Sequence, residues 1–152
     1  MQENSLHNAL KAQFAGDTGQ QEVLVDGYYI DVVQEDLLIE VQTRSFSSIK
    51  PKLAALMQAH KILLVHPIPV VRWIVHLATG SEQPISRRRS PRKGRIEHLF
   101  NELVRFPEFI NHPNFSICLV MTHEEEIRRQ DGRGSWRRKG VSIVDRNLLK
   151  IV

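Results

Sequence analysis

The sequence predicts an α/β fold built on a mixed sheet, and three observations predict it. The first half reads in the order helix, strand, strand, strand, helix, strand. Tyr28 to Thr43 holds two short apolar strands, Ile30-Asp-Val-Val33 and Leu37-Leu-Ile-Glu-Val41, around a polar turn at Gln34-Glu-Asp36. Lys61-Ile-Leu-Leu-Val-His66 is a continuous apolar run, the pattern of a buried strand that runs parallel to a neighbour. With 152 residues and 41% hydrophobic content, the chain is long enough for one domain, or a small core with an appendage.

Each element has a local cause. Residues 3–14 place Leu6, Leu10 and Phe14 on one helical face, and Gly16 and Gly19 close the helix. Residues 22–26 alternate as a short strand, and Gly27 turns the chain into residues 28–33. Residues 46–60 are helical through Phe46, Ile49, Leu53, Leu56 and Met57, with Pro51 fitting only the first turn. Pro67 and Pro69 should stop the strand 61–66, and residues 70–77 form a further strand.

From Thr79 the text changes. Turn formers and arginines fill residues 79–93, which read as an exposed basic linker. Residues 95–104 are helical, residues 108–111 form a short helix, and residues 115–121 form a strand. Residues 123–129 fit either a strand extension or a helical turn. Residues 130–135 read as a hairpin loop, a strand at 141–144 follows, and residues 148–152 close the chain. The expected division is a core at 1–78, a basic linker at 79–94, and a smaller basic α+β half at 95–152 that resembles a winged helix in element order.

Composition excludes several classes. Arg72 and His76 interrupt the most apolar stretch, and the N-terminus has no basic-then-apolar leader, so membrane insertion and export are not expected. Cys118 is the only cysteine, which rules out an intrachain disulfide and makes the cytoplasm the expected compartment. His123-Glu-Glu-Glu-Ile127 lacks the second histidine of a zinc-protease motif, and no glycine loop is built to cradle phosphate.

The chemistry concentrates in two acids. Asp31 and Glu40 each break an apolar strand, and an acid there is costly unless it is paired or binds a metal. Glu40 and Gln42 share a strand face, and pairing about the Gln34–Asp36 turn brings Asp31 to Glu40. The bland explanation is a half-exposed hairpin with a polar face.

Charge forms a second signal. Residues 1–78 carry 6 Lys+Arg against 8 Asp+Glu, whereas residues 79–152 carry 15 against 9. One basic cluster is Arg87, Arg88, Arg89, Arg92, Lys93 and Arg95. The other is Arg128, Arg129, Arg133, Arg137, Arg138 and Lys139, with Trp136 inside it. Arginine beside glycine, serine and an aromatic suits phosphate contact and stacking, so DNA is the expected partner; the alternatives are a solvated charged loop and an acidic protein partner.

The first half, over roughly residues 3–66, resembles the PD-(D/E)xK nuclease superfamily. Asp31 matches the acid of its second core strand, and Glu40-Val-Gln42 matches its acid-x-lysine element with Gln for Lys. The resemblance implies a restriction-endonuclease-like α/β/α core with a mixed sheet. It also implies Mg²⁺ or Mn²⁺ on Asp31 and Glu40, a nucleophilic water placed by Gln42, and a helix glutamate, for which Glu3 is the candidate. The implied activity is metal-dependent endonucleolytic hydrolysis of DNA phosphodiesters, often by a homodimer. The alternative is an inactive DNA-binding module on a degenerate nuclease fold. Arg44, Lys50 or Lys52 would supply the charge that Gln42 lacks.

Overall fold

The computed structural model describes residues 4–130 and 141–152. The chain is mixed α/β, and its described residues form four α-helices and a seven-stranded sheet. Helix α1 spans Ser5–Ala15. Strands β1 (Gln20–Val25), β2 (Tyr28–Gln34) and β3 (Leu37–Val41) form an antiparallel meander. A 3-10 turn (Phe46–Ser48) and α2 (Lys50–Leu56) lead to β4 (Lys61–Leu77), which pairs parallel to β3. Then come β5 (Pro84–Arg89), α3 (Ile96–Leu103), α4 (Pro107–Ile110), β6 (Phe115–Gln130) and β7 (Val141–Ile151). The strand order is β1-β2-β3-β4-β6-β7, with β5 on β4.

The meander and the parallel β4 follow the sequence expectation. Asp26 and Gly27 both adopt positive φ (51° and 85°), the conformation that a two-residue hairpin turn needs. Pro51 falls in the first turn of α2, where its missing N–H costs nothing.

The chain folds as two compact units. The helical unit comprises residues 7–68 and 95–120, and the strand unit comprises residues 1–6, 69–94 and 121–152. The core of the helical unit packs Leu38, Ile62 and Leu64 of the sheet with Leu53 and Leu56 of α2 and Met57 just after it. Leu99, Phe106 and Phe109 complete it. Burying each such side chain contributes about 1.5–3 kcal/mol before conformational entropy is subtracted. In the strand unit Ile74, Val75 and Leu77 are buried, but so are Thr122, Glu124 and Glu126. Arg146 meets Glu124 at 2.7 Å, and Arg128 pairs with Glu126, so the buried carboxylates are compensated.

Several boundaries depart from the sequence reading. The strand expected to stop at Pro67 and Pro69 continues through both. Proline removes only a donor, and the Pro69 carbonyl still accepts from Gly94 N–H at 2.8 Å. Gly94 is required there, because a Cβ would lie 2.6 Å from the Pro69 ring.

Residues 79–93, read as a linker, contain strand β5. All six of its residues are exposed, so it carries no burial pattern to read. Residues 123–129 extend β6, and the strand read at 141–144 runs on to Ile151. The helix expected at 46–60 is a 3-10 turn followed by the shorter α2. The hairpin loop read from 130–135 lies almost wholly outside the described residues. Residues 95–152, expected as one winged-helix-like half, are shared between the two units.

Candidate active site

Register brings the acids together. Val32 pairs with Ile39 in the β2–β3 ladder, which sets Asp31 opposite Glu40. On the other side, Gln21 pairs with Val32 and Val23 with Ile30, which sets Glu22 opposite Asp31. Three acids at nine-residue intervals therefore form one row across three strands. Glu22 has a positive φ of 55° within β1, so the backbone is distorted at this row.

At the same row the carboxylates take over main-chain hydrogen bonding. Asp31 N–H donates to Glu40 Oε1 at 3.0 Å, and Val41 N–H donates to Asp31 Oδ2 at 2.8 Å. Each acid thus binds the other strand's backbone, and both are buried, Asp31 to 8% and Glu40 to 4% exposure.

Each acid also meets one cationic side chain. Lys11 of α1 pairs with Glu22, His7 Nε2 lies 3.3 Å from Asp31 Oδ2, and Lys52 Nζ lies 3.0 Å from Glu40 Oε2. Lys52 also donates to the Tyr29 carbonyl, which fixes it between β2 and β3. Lys50, the other helix lysine, points to Glu108 at 3.2 Å and lies over the Phe106 ring. Strand β3 ends at Val41, so Arg44 is not part of it.

The two central carboxyls are driven apart. Burial pushes Asp31 up, but hydrogen bonds from His7 and Val41 N–H, with the charges of His7 and Lys11, outweigh it and hold the group below its ordinary value. Burial and then the Asp31 charge push Glu40 up, and Lys52 and the Asp31 N–H offset only part of that. Neighbouring titratable groups with opposite shifts are a mark of functional sites.

Gln42 is placed differently from the expectation. Its amide nitrogen donates to the Ser45 carbonyl at 2.7 Å and meets Ser48 Oγ at 3.3 Å. Its own carbonyl is 2.7 Å from His66 Nδ1. Gln42 therefore braces the turn after β3, next to the acids. Glu3 lies outside the described residues, as do Arg133, Trp136, Arg137, Arg138 and Lys139.

Among the described basic residues, Arg87, Arg88 and Arg89 are exposed on β5, and Arg92 and Lys93 are exposed after it. Arg128 and Arg129 are engaged with Glu126 and Glu82. Residues His7, Lys11 and Glu22 escaped the sequence reading. The available signal was the i, i+4 spacing of His7 and Lys11 beside the apolar stripe of α1.

A divalent ion can be tested against this donor set. Among the described residues, no group of three or more His, Cys, Asp or Glu side chains could hold a metal ion. Two carboxylates alone do not make a structural zinc site. Mg²⁺ needs only one or two carboxylates and keeps several waters, and here Asp31 Oδ2 and both Glu40 oxygens already have protein partners. Glu40 is raised chiefly by burial and then by the Asp31 charge, and Lys52 offsets only part of that.

Among the described residues no helix is long and apolar enough to cross a membrane, which leaves β-barrels undecided. The sequence matches, over residues 4–152, a family described as Domain of unknown function (DUF8091). An uncharacterized protein of Treponema pallidum (strain Nichols) is 34% identical over 151 residues, 98% of this chain and 59% of that protein. The chain thus spans less than two thirds of that relative's length. No solved structure matches.

Proposed function

We propose that this chain, which belongs to that family, is a metal-dependent deoxyribonuclease with a PD-(D/E)xK-like site. The observation that carries the proposal is the reciprocal pair of buried acids, Asp31 and Glu40, with Lys52 on Glu40. The element order around them, helix, antiparallel meander, helix and parallel strand, supports it.

Asp31 and Glu40 would hold Mg²⁺ or Mn²⁺ together with main-chain oxygen and water. When bound, the ion supplies Lewis-acid polarisation of the scissile phosphate and a lowered pKa for attacking water. Lys52 stands where Gln42 carries no charge, and it neutralises negative charge as it develops on the phosphate. His7 and Lys11 hold Asp31 ionised and ready to bind. Gln42 keeps the turn after β3 in place.

One observation favours a second function. Every acid in the row already has a cationic partner, which is also how an inactive, charge-balanced nuclease core would look. That protein would bind DNA without cutting it.

Single-turnover cleavage of duplex, single-stranded and branched DNA with Mg²⁺ or Mn²⁺ separates the two. Asp31→Asn and Glu40→Gln should each abolish cleavage and keep the fold. A wild-type protein that binds these DNAs and cuts none, with a melting temperature indifferent to the metals, is the inactive module. In either form, the dimer implied by the nuclease resemblance is tested by sedimentation.

A further inference from the structure

The surface that holds DNA can be placed more narrowly than a count of arginines allows. Strand β5 pairs antiparallel with β4, with Trp73 opposite Arg89, Ile74 opposite Arg88 and Val75 opposite Arg87. Directly opposed residues share a sheet face. Arg87 and Arg89 therefore stand on the side that carries Trp73, and Arg88 stands on the other. Arg87 and Arg89 are about 6.8 Å apart along the strand, a step comparable to that between successive phosphates of an extended single strand.

Arg87 is held before anything binds. Its guanidinium carbon lies 4.3 Å over the Trp73 ring, and its Nε lies 3.3 Å from Glu125 Oε2. Its side chain nevertheless stays 47% exposed. A cation fixed on two sides loses little freedom when an anion docks. Glu125 neutralises part of its charge, so the attraction must come from the set.

That set is one-signed: residues 84–94 contain five Lys+Arg and no Asp or Glu. Among the described residues, Arg88, Arg89, Arg92 and Lys93 make no ion pair. The segment is also tied down. Ser90 N–H donates to the Arg72 carbonyl and Gly94 N–H to the Pro69 carbonyl, each at 2.8 Å, so the charges follow β4 in order.

We propose that this β4–β5 edge of the strand unit binds a single strand of DNA, with Arg87, stacked over Trp73, as its base-stacking step and Arg89, Arg92 and Lys93 as its phosphate contacts. Trp73 is half-buried beneath Arg87, and the exposed guanidinium plane backed by that ring accepts any unpaired base, while arginines follow the backbone. The assignment rests on the proposal that the protein acts on DNA, and it adds that the bound region includes unpaired nucleotides.

The test uses the full chain carrying Trp136→Phe, which leaves Trp73 as the only tryptophan. Titration with an oligothymidine in low salt should quench Trp73 emission in step with binding followed by anisotropy. Arg87→Gln, Arg89→Gln and Arg92→Gln together should weaken binding at least about 10-fold and flatten the salt slope by about 2. Trp73→Leu should weaken it about 5-fold or more with the slope unchanged. Binding without quench, a preference for duplex, or an unaffected triple variant overturns the assignment. If the quench persists and no DNA is cut, the nuclease proposal fails and the strand-binding edge stands. If DNA is cut and neither quench nor arginine dependence is seen, the reverse holds.

Discussion

Lys52 of α2 places its Nζ 3.0 Å from Glu40 Oε2, a partnership that crosses from a helix to the neighbouring strand. It puts an ammonium beside a buried carboxylate at the point where the local sequence offers only the neutral amide of Gln42.

Lys52→Met should lower single-turnover cleavage by about 100-fold, the scale of losing one preorganised charge near a developing anion. It should also cost about 1.5–3 kcal/mol of stability, because Glu40 stays buried without its charged hydrogen-bond donor. Urea unfolding measures the second effect independently of the first. Lys52→Met with unchanged cleavage would remove Lys52 from the mechanism.

The two acids should leave opposite marks on stability as pH changes. Asp31 lies below its ordinary value of 3.8 in the folded chain. Its contribution is complete above 3.8 and is lost as pH falls through the lower folded value. Glu40 lies above its ordinary 4.5, so the folded chain binds that proton more tightly. Stability therefore falls as pH rises from 4.5 through the raised folded value. Asp31→Asn should flatten the acid limb, and Glu40→Gln should flatten the limb above 4.5. Urea unfolding from about pH 3 to about pH 8 reads both slopes.

Divalent ions should stabilise the native chain by binding between like charges. At an ion concentration 100 times the dissociation constant the gain is about 2.7 kcal/mol. Asp31→Asn and Glu40→Gln should each erase the Mg²⁺- or Mn²⁺-dependent rise in melting temperature. A rise that survives both substitutions places the ion elsewhere.

Gln42→Lys restores the residue usual in PD-(D/E)xK sites. A lysine there keeps a donor for the Ser45 carbonyl, so the turn after β3 should hold. Cleavage should be preserved or raised. Gln42→Ala should loosen that turn and slow cleavage while metal binding stays intact, measured as the thermal shift. A Gln42→Lys protein that no longer cuts would argue that position 42 faces away from the phosphate.

The meander, the parallel strand and the approach of Asp31 to Glu40 were legible because two-residue periodicity and a short polar turn fix strand register locally. Of the cationic partners, Lys52 was one of three candidates beside Arg44 and Lys50, and His7 and Lys11 were not legible. His7 and Lys11 reach the row from a helix, and helix-to-sheet contacts leave no trace in strand alternation. Glu22 was hidden for another reason: it looks like an ordinary polar residue of an exposed edge strand, and only the register sets it opposite Asp31. Strand β5 was missed because an edge strand with every side chain exposed is held by backbone pairing alone. The charge cluster within it was plain from composition, and its order along β4 was not.

The division of the chain into interleaved units has a consequence for how it is made. Residues 7–68 belong with residues 95–120, and the segment between them belongs with residues 121–152. During synthesis the helical unit lacks Leu99, Phe106 and Phe109 of its core until residue 109 has emerged. The segment 69–94 must wait longer for its own partners. Long sequence separation between partners slows folding, because loop closure is paid before the contacts form. No single cut releases either unit whole: a nascent or proteolysed chain ending near residue 94 would carry both acids on an unfinished core.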